Sequence, residues 1–90
     1  MINKDYIANV RIRKPDANHN TYHDVQILDI KGNVVAADVK VYGYDNQYKQ
    51  TTADLLNEVD ALVNLQGEED FNKWGITQVN RHVLFIVHKY

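Results

Sequence analysis

Apolar and polar residues alternate at period two in four stretches of this chain, the pattern of a strand with one face buried. In the first, Tyr6, Ala8, Val10 and Ile12 share one face, while Asn9, Arg11 and Arg13 share the other. Pro15 should end that strand, because its ring restricts the residue before it and removes a backbone donor. The run Pro15-Asp16-Ala17-Asn18-His19-Asn20 then reads as a polar loop rich in turn formers. A second strand is predicted over about 21–30, followed by a hairpin at Lys31-Gly32-Asn33, where Gly and Asn both tolerate positive φ. In the third strand, alternation sends Val35, Ala37, Val39 and Val41 inward and Ala36, Asp38, Lys40, Tyr42 and Tyr44 outward.

The period then changes. Leu55, Leu56, Val59, Leu62 and Val63 recur at helical spacing and form an apolar stripe. Thr51 or Thr52 suits the N-cap of that helix, with Asp54 in its first turn where the helix dipole favours negative charge. Gly67 stands where a C-terminal stop is expected. Phe71 and Trp74, three apart, fit a short helical turn that docks two aromatics. The chain closes with a strand over about 79–89, apolar on both sides: Val83, Phe85 and Val87 on one, Leu84 and Ile86 on the other. A strand buried on both faces is expected in the sheet interior or at a subunit interface.

These elements give one domain over 1–90 of the α+β class. Its architecture is β-β-β-α-β, a mostly antiparallel sheet of about four strands with one long helix packed on one face. Composition agrees, since 44% hydrophobic and 24% charged residues lie in the ordinary globular range. No stretch approaches the ~18 apolar residues of a membrane span and the N-terminus lacks an apolar signal core, so a cytoplasmic protein without membrane contact is expected. The absence of Cys agrees with a reducing compartment.

Charge changes the picture by its placement. The net value is −2, yet residues 1–14 and 71–90 each carry +3, 15–49 carry −2 and 50–70 carry −6. Basic strands and an acidic helix make an electrically polarised domain. The helix residues Asp54, Asn57, Glu58, Asp60, Asn64 and Gln66 read as an outward face without a single base.

The inventory for catalysis is thin. Without Ser or Cys there is no Ser-His-Asp or Cys-His machinery, and the four glycines stand singly, so no Gly-rich loop can cradle phosphate. His19 and His23 are four apart, with Asp24 beside the second, but they fall on a loop running into a strand, where that spacing fixes no ligand geometry. Glu68, Glu69 and Asp70 lack the alternating pattern of a calcium loop. His82 and His88 read as the same side of the last strand, roughly 20 Å apart at strand rise and too distant to share an ion. No metal, no cofactor and no enzymatic activity are expected.

What remains is the outer sheet face. Arg11, Arg13, Tyr42, Tyr44, His82 and His88, with Lys40 and Tyr90, have compatible parities there, around Leu84 and Ile86. An apolar centre rimmed by Tyr, Arg and His has the composition of a protein interface. The chain therefore reads as a small interaction domain, self-associating through its sheet face or last strand as a homodimer, or binding another protein. The alternative is binding of single-stranded nucleic acid, because tyrosines stack bases and cations hold phosphates. No RNP motif accompanies them, and a pI near 6 is low for that class.

Overall fold

The computed structural model describes residues 4–44, 46–60 and 74–89. In chain order these form β1 (Tyr6–Ile12), β2 (Tyr22–Asp29), β3 (Val34–Tyr42), α1 (Gln47–Asp60), α2 (Ile76–His82) and β4 (Val83–Lys89). The strands make one mixed sheet of order β3-β2-β1-β4. The β1–β2 and β2–β3 pairs are antiparallel, whereas β4 runs parallel to β1, with Tyr6 opposite Val83 and Ile12 opposite Lys89. The α+β class and the four strands match the sequence pattern.

Both helices lie on one side of the sheet. The face formed by Ala8 and Val10 of β1 and by Val25 and Ile27 of β2 is buried against Ala53, Leu55 and Leu56 of α1 and Val79 of α2. Each large aliphatic side chain so enclosed contributes about 1.5–3 kcal/mol. Trp74 is 1% exposed and meets Tyr6 edge to face at 5.7 Å, closing one end of this core. Tyr48 and Phe85 meet in the same manner at 5.4 Å.

The two polar loops are one device built twice. Asp16 Oδ1 accepts the N–H groups of Asn18 and Asn20, and Asp29 Oδ1 accepts those of Lys31 and Asn33. The residue three after each aspartate takes positive φ, His19 at 63° and Gly32 at 89°. Each carboxylate adds to the backbone turn bonds, in which the His19 N–H donates to the Asp16 carbonyl at 2.9 Å and the Gly32 N–H to the Asp29 carbonyl at 3.0 Å. Glycine enters the left-handed region freely, whereas the histidine does so against its Cβ.

Several expectations are corrected by tertiary context. Among the described residues there are two helices on the sheet rather than one long one, and α2 occupies the first part of the stretch expected as strand. Ile76, Val79 and Val83 stand at helical spacing, and Val79 and Val83 reach the core. Gly75 N–H donates to Gln78 Oε1 at 3.1 Å to start this helix. Helix α1 begins at Gln47, so Thr51 and Thr52 are interior residues rather than caps. Their hydroxyls donate back to the Gln47 and Tyr48 carbonyls, at 3.4 and 2.8 Å. Asn57 does not face solvent: its Nδ2 donates to the Trp74 carbonyl at 2.9 Å, and its Oδ1 accepts the Trp74 N–H at 2.6 Å. Leu62, Val63, Asn64, Gln66, Gly67, Glu68, Glu69, Asp70 and Phe71 lie outside the described residues.

Among the described strands the last one is an edge, not a central strand, since β1 is its single neighbour. In β3, register breaks opposite His23/Val25 and Ile27/Leu28 reverse the expected parity. Val35 and Ala36 both pack on the core as a result, while Ala37 and Val39 are exposed. Lys40 sits in the first of these breaks at φ 53°.

Candidate functional site

The sheet face opposite the helices is built in rows, because paired residues of neighbouring strands point the same way. At one end Val34, Leu28, Ile7 and Leu84 form a row across all four strands. The next row is Ala37, Gln26, Asn9 and Ile86, uncharged throughout. Beyond it stand Asp24, Arg11 and His88, and then Arg13 near the Tyr22–Tyr42 pair. The face thus grades from aliphatic to charged and aromatic along the strands.

Asp24 organises the charged end. Arg13 Nε donates to both its oxygens, at 2.9 and 3.1 Å, and the Lys40 backbone N–H donates to Oδ1 at 2.7 Å. Partial burial by itself pushes this carboxyl up, but the Lys40 N–H and the Arg13 guanidinium outweigh it and hold the group below its ordinary value. The bulge turns Lys40 so that its ammonium lies 5.6 Å from the Tyr22 ring centre. Tyr22, Tyr42 and Tyr44 follow one another edge to face at 5.7 and 5.4 Å, and the Tyr42 hydroxyl donates to that of Tyr44 at 3.0 Å. The Tyr44 hydroxyl is held above its ordinary value, chiefly by its hydrogen bond with Tyr42 and then by partial desolvation. A concavity of about 350 Å³ opens here between Arg11, Arg13, Lys14, Asp16, Tyr22 and Lys40. A shallow hollow of about 410 Å³ lies beside it, over Asn9, Gln26 and Asp24.

Of the residues singled out from the sequence, Arg11, Arg13, Tyr42, Leu84, Ile86 and His88 come together on this face. Tyr44 adjoins it through Tyr42, just past the end of β3. His82 does not join them. It is the last residue of α2, its Nδ1 lies 2.9 Å from Asp5 Oδ2, and its ring stands edge-on to Trp74 at 6.2 Å. Tyr90 lies outside the described residues. Sequence parity passed over Ile7, Leu28 and Val34, which complete the aliphatic row, and it missed Asp24 as organiser. The three aliphatics were visible as the off-parity residues of their strands, but nothing local announces what Asp24 holds.

The histidine pair separates. His19 is an exposed turn residue, whereas His23 is 2% exposed on the core side, with Nε2 2.8 Å from Thr51 Oγ1. Burial pushes the His23 imidazole below its ordinary value, against the opposing pull of Asp24 and Asp38. It borders a second cleft of about 620 Å³ on the helix side, shared with Tyr44, Tyr48 and Lys89. Strand alternation sends Asp24 to the opposite face. Among the described residues, no group of three or more His, Cys, Asp or Glu is placed to hold a metal ion. No helix among them is long and apolar enough to cross a membrane.

Comparison with protein-family models, with characterised proteins and with solved structures found no match to this chain.

Proposed function

We propose that this chain is a small, non-enzymatic interaction domain that pairs with a second copy of itself through the open sheet face. The observation that carries this reading is the uninterrupted aliphatic row Val34-Leu28-Ile7-Leu84, on the face that neither helix covers, with Ile86 beside it 40% exposed. An apolar patch rimmed by polar groups marks an interaction surface. The row is also self-complementary. A two-fold axis along it sets each copy's aliphatic side chains on the other's, and carries the two cationic ends to opposite extremes, where they do not repel. The sequence, with neither Ser nor Cys, supports a role outside nucleophilic catalysis.

Light scattering coupled to size exclusion tests this. The wild type should elute as a dimer that persists in high salt, since the contact is apolar, and Leu84→Asp should elute as a monomer with unchanged circular dichroism. A wild type that is monomeric at high micromolar concentration refutes the reading.

A further inference from the structure

We infer that the cleft between Arg11, Arg13, Lys14 and Lys40 at the charged end of the open face binds the phosphate of a nucleotide unit, with the base lying on the exposed tyrosines beside it. This site occupies the opposite end of the face from the aliphatic row and does not rest on self-association.

Lys40 departs from ordinary strand conformation. It is one of two described non-glycine residues with positive φ, at 53°, a region that penalises any residue bearing a Cβ. His19 has an evident reason, because it completes an Asp-anchored turn. Lys40 sits instead in a strand, and the consequence of its bulge is to bring its ammonium over Tyr22 at the cleft. Strain retained in a strand points to a use for the side chain it redirects. The bulge is also anchored, since the Lys40 N–H donates to Asp24 at 2.7 Å. The same carboxylate holds Arg13 through Nε, which leaves the terminal amino groups of that guanidinium with no protein partner among the described residues. One aspartate therefore fixes two cations around one concavity.

Four cations line the cleft or its rim against two carboxylates, Asp16 and Asp24. Asp24 is neutralised by Arg13, and Asp16 is occupied by the N–H groups of its own turn. The surplus suits an anion, and a guanidinium whose two amino groups have no partner among the described residues matches phosphate oxygens. Tyr42 and Tyr44 are 54% and 50% exposed next to this cleft, which supplies ring surface for a base. Phosphate with an aromatic base is the chemistry of a nucleotide, free or in a single strand.

The test uses the full chain with a labelled short oligothymidylate read by anisotropy, and with adenosine monophosphate and inorganic phosphate as competitors. The wild type should bind the oligonucleotide with salt-sensitive affinity, and the monophosphate should compete better than inorganic phosphate. Lys40→Gly should weaken binding by about twofold to fivefold and lower the salt slope by about 0.7. Its melting temperature should stay level or rise, because glycine accepts positive φ. Arg11→Ala should act likewise from an exposed position. Lys31→Ala, which removes the same charge at the far turn, should leave affinity unchanged. The inference is overturned if the wild type binds no oligonucleotide, or if Lys31→Ala weakens binding as much as Lys40→Gly does. Equal competition by inorganic phosphate overturns the assignment to a nucleotide.

Discussion

Asn57 fastens the chain segment before α2 to α1, and Asn57→Ala measures what that fastening is worth. The side-chain amide makes the reciprocal pair of bonds that a neighbouring peptide would make, donating to the Trp74 carbonyl at 2.9 Å and accepting the Trp74 N–H at 2.6 Å. Alanine removes both bonds and leaves a backbone donor and acceptor beside a side chain that is 1% exposed. A buried polar group without a partner costs about 1–3 kcal/mol. The two bonds are part-buried and water recovers some of the loss, which brings the expected total to about 2–3 kcal/mol. In a domain of this size each kcal/mol lowers the melting temperature by about 4–8 °C, so the variant should melt at least ~8 °C lower. Trp74 is the sole tryptophan, and its fluorescence in a urea titration reports this region directly. The midpoint should fall with the slope unchanged, as befits lost stability in an intact fold. Asn57→Gln, which carries the amide one methylene too far, should not restore it. A loss under about 0.5 kcal/mol, the range of ordinary surface substitutions, would refute the clamp.

Two further perturbations follow from the fold. His23 has its imidazole held below the ordinary value by burial, so its stabilisation is complete above about pH 6.5, the unfolded value, and is lost as pH falls through the lower folded value. Urea titrations between pH 7.5 and 5 should show stability declining by at most ~1.4 kcal/mol per pH unit from this group, and His23→Gln should flatten that decline. An unchanged slope in the variant would assign the dependence elsewhere. In the twin turns, Gly32→Ala should cost about 1 kcal/mol, whereas His19→Gly should be neutral or stabilise by up to ~1 kcal/mol, both read as shifts in melting temperature.

What the sequence by itself determined is whatever depends on near neighbours. Alternation over Tyr6–Ile12 predicts β1 and its buried face, because strand sidedness follows from covalent geometry alone. The two turns are legible for the same reason: an aspartate, a spacing and a residue able to take positive φ close them without distant help. Leu55 and Leu56 likewise place the buried side of α1. Tertiary structure decided the rest. Each break in β3 inverts which residues face the core, and it is set by pairing with β2, so the inward reading of Ala37 and Val39 failed while the strand itself stood. The apolar final stretch divides into α2 and β4 because Trp74 and Asn57 fix where the chain returns to the sheet. That return sets β4 beside β1 at an edge, an outcome that depends on residues some 77 apart, such as Asp5 N–H on the His82 carbonyl at 2.8 Å. Of the candidate site, Arg11, Arg13, Tyr42, Leu84, Ile86 and His88 were legible by parity, whereas Asp24 as organiser and the displacement of His82 were not. Parity is local, while the partner of a carboxylate and the strand beside a strand are fixed by long-range packing.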